Sequence, residues 1–315
     1  MKVLVTGATG FIGRHVVECL RNAGMAVRIA SRHPEMLGTG GETVSLPSFD
    51  APAEAFLAIT RDMTHVVHCA GLNNDRGDAT EAAYRATNAQ LSARLADAAA
   101  KQTSRRFIYL SSIRAAIGAR VSGTIDEETL HAPQCSYGRS KREGEIGILE
   151  AYESHRRSDA AVLRLPPVYG AGMKGNLVTL MRLADTPLPL PSGALTGVRS
   201  LISAEATARA VLHLLTHSGP LRPVYVASNV PPMSVAGIIG AFRTGFKRPT
   251  RLIAVHAGLM RPAAALLGKR DFWDSLTASQ ICDPSLLVSG GWSPDTDTAE
   301  RLSDMARLSK SAQPR

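Results

Sequence analysis

The chain has 315 residues, 44% apolar and 20% charged, the make-up of a folded globular protein with one large domain or two modest ones; disorder, collagen and coiled coil are excluded. Its formal charge of +9 is spread over short clusters, such as RRF at 105 and HRR at 155, without aromatic interleaving. That pattern predicts no nucleic-acid groove and fits the attraction of small polyanions such as nucleotides better. Four cysteines (Cys19, Cys69, Cys135 and Cys282) have no paired spacing, so neither a disulfide framework nor a metal site is expected. The opening MKVLVTG is too short for a signal-peptide core, and AGLMRPAAALLG is interrupted by Arg261 and Pro262, which reads as a buried or surface-docked helix. No membrane span and a cytoplasmic location are the expectation.

Strand-like and helix-like runs alternate through the first half. KVLVT leads into a helical FIGRHVVECLRNAG and then the strand AVRIA; ETVSL and THVVHCA are further strands. A long Ala-rich helix over 79–101 precedes RRFIYLSS, and a helix over 136–156 precedes AAVLRL. Apolar, β-branched runs separated by amphipathic helices predict an α/β fold with a doubly wound parallel sheet, of the Rossmann type. Past Leu165 the rhythm breaks into loop-rich segments (LPPVYGAG, TPLPLPSG), with RPVYVAS near 222–228 as one more sheet strand. A dinucleotide-binding domain over 1–165 and about 200–230 is therefore expected. A smaller C-terminal substrate-binding lobe would take about 166–199 and 231–305, with a flexible tail over 306–315.

VTGATGFIG places Gly7, Gly10 and Gly13 at every third position directly after the first strand. Each glycine costs about 1 kcal/mol against alanine in plain helix. A strand-to-helix turn that holds a pyrophosphate needs them: one for the turn, one for close approach of phosphate, one for packing of helix on strand. At the end of the second strand, an acidic residue would bind the ribose hydroxyls of NAD. Ser31 and Arg32 stand there instead, a hydroxyl and a guanidinium suited to a 2′-phosphate, which favours NADP over NAD. Asp50 is a candidate for the adenine amino group or, equally, an N-cap for APAEAFLAI.

YGRSK puts Tyr137 and Lys141 four residues apart, on one face of a helix. A phenol with a pKa near ~10 is a poor catalyst at neutral pH, and a neighbouring ammonium stabilises its anion. Ser112, at the end of FIYLSS, would hold the same substrate oxygen against the tyrosine. His65 and His68 on the fourth strand read as structural.

These motifs resemble an extended short-chain dehydrogenase/reductase of the NAD-dependent epimerase/dehydratase family, which acts on nucleotide sugars. The resemblance covers about the first 300 residues and rests on TGATGFIG, HCAG at 68–71, Asn88 in YRATNAQ, LSSI, YGRSK, LRLPPVYGAG and RSLIS. It implies that Ser112, Tyr137 and Lys141 are catalytic, with Ser111 as the alternative serine. It implies that Gly7, Thr9, Gly10, Phe11, Ile12 and Gly13 hold the cofactor pyrophosphate, and that the Cys69–Ala70–Gly71 turn lies along the cofactor. Arg199 matches an arginine that grips the nucleotide diphosphate, with a surface salt bridge as the alternative. Asn176 matches a phosphate contact, or is an N-cap alone. Arg270 is a further candidate substrate residue. A homodimer through the helices over 79–101 and 136–156 is implied as well.

The chain departs from this pattern at two places. Pro167 replaces an Asn that contacts substrate in 4-epimerases, and SSIRAAIG lacks the usual V-Y-G after the serine. The stretch PPVYGAGMKGN resembles bacterial reductases of UDP-4-keto-6-deoxy-hexosamines more closely, and no acidic pair follows the serine strand, which disfavours dehydration. Hydride transfer at C4 of a UDP-linked hexose or hexosamine is therefore expected, a 4-keto reductase ahead of a 4-epimerase with tightly bound NAD. A non-catalytic dinucleotide sensor or scaffold is the alternative of another class.

Overall fold

The computed structural model describes residues 1–36, 41–73, 79–187, 195, 197–250 and 276–311, with the isolated positions 262, 265, 266 and 273. Arg270 and nearly all of AGLMRPAAALLG lie outside the described residues.

The first strand β1 (Lys2–Thr6) is followed by α1 (Phe11–Asn22), β2 (Ala26–Ser31), β3 (Glu42–Ser45), α2 (Ala53–Thr60) and β4 (His65–His68). Then come α3 (Glu81–Arg85), a π-helical turn (Ala86–Gln90), α4 (Leu91–Gln102), β5 (Phe107–Ser112), β6 (Gly123–Ile125), α5 (Ser136–Ser154) and β7 (Ala160–Leu165). β8 (Val168–Tyr169), α6 (Asn176–Ala184), β9 (Val198–Arg199), β10 (Ile202–Ser203), α7 (Ala204–Thr216) and β11 (Val224–Val226) follow. β12 (Met233–Ser234), α8 (Val235–Gly245), β13 (Gln280–Cys282), α9 (Ser285–Ser289) and α10 (Thr298–Ser311) complete the described elements. Seven strands form one sheet in the order β11-β7-β5-β4-β1-β2-β3, parallel throughout. The chain winds outward from β1 in both directions, which is the doubly wound arrangement.

Strand periodicity explains why both faces are apolar. Val3 and Val5 point to one side with Val16, Val17 and Leu20 of α1 and Val211 and Leu214 of α7; Leu4 points to the other with Phe56, Leu95 and Phe107. Each such side chain contributes about 1.5–3 kcal/mol when fully buried. Strands covered on both faces therefore read as continuous apolar runs.

The helix expected over 79–101 is real in extent but not uniform. At Ala86–Gln90 its hydrogen bonding widens to a π turn, a local irregularity that often marks functional sites. There the Asn88 carbonyl accepts bonds from the Tyr109 hydroxyl (3.0 Å) and from Ser92 Oγ (2.8 Å). Gly144 of α5 packs against that same carbonyl, where any Cβ would collide.

The second core gathers Leu177, Leu180, Ile238, Ile239, Phe242, Leu302 and Ala306 from α6, α8 and α10. β8 and β10 form a small parallel pair, and β12-β9-β13-β6 a four-stranded sheet in which β6, from between β5 and α5, lies beside β13. The tail expected from 306 is helical as far as Ser311, because Ala306 is buried against α8 and Gly245 leaves no Cβ in the way of the Ser303 carbonyl.

Candidate active site

β1 ends at Thr6 and the chain turns at Gly7, whose φ of +66° is costly for residues with a Cβ. A Cβ there would lie 2.5 Å from the Ala70 backbone nitrogen, and one on Gly13 would collide with the Gly7 carbonyl. The two loops that the sequence linked, 7–13 and 69–71, are therefore pressed together at the carboxyl edge of the sheet. Gly10 caps α1 without a side-chain hydrogen bond. The first amides of α1 are thus left without a capping side chain, at the positive end of the helix dipole. This glycine cradle fits a dinucleotide pyrophosphate; Thr9, Phe11 and Ile12 sit within the same turn.

α5 positions Tyr137 and Lys141 on successive turns, after Cys135 caps it through Sγ (3.4 Å to the Gly138 amide). The Tyr137 ring meets Tyr84 edge-on at 6.1 Å. Lys141 is 5% exposed. Its Nζ donates to the Leu110 carbonyl at 2.9 Å and lies 4.6 Å from the Tyr109 ring centroid. The close approach of Gly71 to Asn88 Oδ1 and Lys141 Nζ brings the 69–71 turn against α5. Burial lowers the Lys141 ammonium to about 8, an effect opposed by the charge of Glu145 and by Cys69. Burial pushes the Cys69 thiol up to about 12, so it stays neutral. Asn88 Oδ1 accepts from the Leu72 amide (2.8 Å), and its Nδ2 donates to the Leu72 carbonyl (3.1 Å) and to Ser140 Oγ (3.0 Å). Ser112 ends β5, its Oγ accepting from the Arg114 amide at 3.2 Å.

Ser111, the alternative serine, is committed elsewhere. Its hydroxyl donates to Glu145 Oε1 at 2.6 Å, and Arg164 closes on the same carboxylate through Nη2 at 2.8 Å and Nε at 3.1 Å. Both Glu145 and Arg164 are buried. Sequence reasoning missed this pair, although Glu145 lies one helical turn beyond Lys141, on the same face. His68 is structural, as expected: Nδ1 meets Thr6 Oγ1 (2.6 Å) and Nε2 meets Ser92 Oγ (2.8 Å), and burial pushes the ring down to about 3, hence neutral.

Other candidates are placed with mixed results. Ser31 is buried at the end of β2, accepting from the His33 amide, while Arg32 is exposed beside it. Asp50 is not an N-cap, because Pro52 occupies that position; its carboxylate accepts from Ser48 Oγ at 2.6 Å, which holds it below the usual carboxylate range. Asn176 is not an N-cap either: Gly175, with φ +76°, precedes α6, and Asn176 is its exposed first residue. Among the described residues Arg199 makes no salt bridge. It is largely buried on β9, with Nη1 donating to Gln280 Oε1 at 3.1 Å and with Nε and Nη2 unpartnered.

A parallel doubly wound sheet, a glycine turn into a bare helix terminus, and a Tyr-x-x-x-Lys helix beside it define a dinucleotide-dependent short-chain dehydrogenase/reductase of the extended kind. The family model described as "NAD dependent epimerase/dehydratase family" matches residues 3–227, and the chain belongs to that family. Among curated relatives, a UDP-glucose 4-epimerase of Vibrio cholerae is 29% identical, over 97% of this chain and 94% of the relative. A ceramide reductase of Caulobacter vibrioides is 30% identical, over 94% and 80% respectively. Among solved structures, the UDP-glucose 4-epimerase of Thermotoga maritima with UDP-glucose superposes with a TM-score of 0.75 at 21% identity, covering 99% of this chain and 100% of that one. The UDP-glucuronic acid 4-epimerase of Bacillus cereus with UDP-glucuronic acid and NAD gives 0.76 at 19% identity, with the same coverage.

Proposed function

We propose that this enzyme moves a hydride at C4 of a UDP-linked hexose, and that its reaction is 4-epimerisation. The observation that carries the reading is Lys141, buried between the Leu110 carbonyl and the Gly71 turn on the helix that also bears Tyr137. The full-length similarity to a UDP-glucose 4-epimerase supports the choice of substrate. Tyr137 takes the proton of the C4 hydroxyl, helped by the Lys141 ammonium, and Ser112 holds the same oxygen. Gly7, Gly10, Gly13 and the 69–71 turn hold the NAD(P) pyrophosphate; when bound, the nicotinamide supplies the redox step. Epimerisation requires the C4 carbonyl to turn its other face toward the cofactor site before Tyr137 returns the proton to the C4 oxygen. Ile113 and Arg114 follow Ser112, so no carboxylic acid stands there to protonate a leaving hydroxyl, which disfavours dehydration.

A second reading, an NADPH-dependent carbonyl reductase, is favoured by Arg32 in the place of an acidic ribose ligand and by Pro167 in the place of Asn. The similarity to a ceramide reductase supports reduction as a chemistry of close relatives. One experiment separates the two. Purified protein is incubated with UDP-glucose and, separately, with a UDP-4-keto-sugar plus NADPH, and products are resolved by chromatography. Interconversion of UDP-glucose and UDP-galactose without added NADPH supports the epimerase; stoichiometric NADPH oxidation supports the reductase. Tyr137→Phe is expected to lower either activity at least a hundredfold. Failure of the wild-type protein in both assays refutes the proposal.

A further inference from the structure

Two guanidinium groups converge on one amide oxygen beside the catalytic residues. Arg114 Nη2 (2.6 Å) and Arg199 Nη1 (3.1 Å) both donate to Gln280 Oε1. Gln280 Nε2 donates to the Gly118 (2.8 Å) and Val121 (2.9 Å) carbonyls, so its oxygen is fixed toward the arginines. No carboxylate among the described residues pairs with either guanidinium, and Arg199 Nε and Nη2 are buried without partners. By contrast, the buried Arg164 is matched to the carboxylate of Glu145. Among the described residues the two charges share the neutral Gln280 oxygen, and Arg114 Nη1 also reaches the neutral Ile117 carbonyl (3.5 Å). Arg199 is pushed down to about 10 by burial and then by the charge of Arg114. Charges held in this way are destabilising unless an anion joins them.

Their position says which anion. The Arg114 amide donates to Ser112 Oγ, and the Arg114 carbonyl lies so close to Gly138, next to Tyr137, that a Cβ there would collide. The receptor therefore borders the residues that handle the reacting sugar.

We propose that Arg114, held beside Arg199 by the shared Gln280 oxygen, supplies a second guanidinium to an anionic oxygen of the substrate. The inference rests on the nucleotide-sugar reading. The shared chemistry is an oxyanion that accepts from two guanidinium forks at once. Two sources supply it: the diphosphate, or a carboxylate on the sugar as in a uronic acid.

The test uses the protein as purified with its cofactor, and calorimetric titration with inorganic pyrophosphate, UDP, UDP-glucose and UDP-glucuronic acid. Arg114→Met is expected to weaken binding at least tenfold. A loss shared by pyrophosphate, UDP and both sugars assigns the diphosphate; a loss confined to UDP-glucuronic acid assigns the carboxylate. Arg114→Lys, which keeps the charge without the fork, should fall between. Arg114→Met should also leave the melting temperature unchanged or raised, because an unpaired buried charge has gone. Unchanged affinity for all four probes overturns the proposal, as does a lowered melting temperature with unchanged affinity, and as does failure of the wild-type protein to bind any of them. Arg114-dependent binding of pyrophosphate without binding of either UDP-sugar leaves the receptor standing and removes the nucleotide-sugar reading.

Discussion

Glu145→Gln should be among the most damaging single-atom-scale changes available outside Ser112, Tyr137 and Lys141. The carboxylate accepts from Ser111 Oγ and from Arg164 Nε and Nη2, with Arg142 Nη1 at 3.6 Å as a looser ion-pair partner. Arg164 is 1% exposed. Its remaining acceptors are the Glu127 and Thr129 carbonyls, at 3.3 and 3.2 Å. Replacing the charge by an amide strands a guanidinium in the interior and turns one acceptor into a donor that faces other donors. Breaking such a pair costs about 3–5 kcal/mol, against a total stability of about 5–15 kcal/mol. Urea unfolding at 25 °C, followed by circular dichroism, reads the loss as a lower midpoint. Glu145→Leu with Arg164→Met removes both charges and should recover most of it, since apolar replacement of a buried pair is often neutral. A loss under about 1 kcal/mol for Glu145→Gln, or a double variant no better than the single, refutes the reasoning. The same change has a second readout. Glu145 raises the Lys141 ammonium against the larger effect of burial. Removing it drops Lys141 further below its present value of about 8. The alkaline decline of activity therefore moves to lower pH in Glu145→Gln.

Gly13→Ala, whose Cβ would collide with the Gly7 carbonyl, should abolish retention of the dinucleotide while leaving the fold intact; cofactor release on denaturation measures this by absorbance, and full retention contradicts it. Folding stability should decline on acidification below about pH 6.5. His65 and His68 are held neutral, at about 4 and about 3, so the unfolded chain binds more protons there and stability rises with pH across that window. Each ring contributes a slope of about 1.4 kcal/mol per pH unit at most, and His68→Asn should flatten the curve between pH 6 and about 4 in urea titrations. Arg32→Asp should weaken NADP binding at least tenfold and favour NAD, as followed by nicotinamide fluorescence titration; equal affinities before and after would remove Arg32 from the cofactor site.

Local rules account for much of what was legible in the chain itself. Apolar β-branched runs can be satisfied only inside a sheet covered on both faces, so KVLVT, AVRIA, FIYLSS and AAVLRL named their strands, and the glycine triplet named the turn after the first. Tyr137 and Lys141 were legible because i and i+4 share a helix face whatever surrounds the helix. The N-cap alternatives for Asp50 and Asn176 fail because cap choice depends on the path of the preceding backbone, which put Pro52 and Gly175 there instead. The π turn at Ala86–Gln90 has no signature in an Ala-rich run; it is set by what packs on Asn88. Tertiary structure alone decided the pairing of Glu145 with Arg164 and the meeting of Arg114 with Arg199 at Gln280, positions as many as 166 residues apart. The reason is physical: a propensity or a periodicity acts over a few residues, whereas the partner of a buried charge is chosen by whichever strands the sheet order brings side by side.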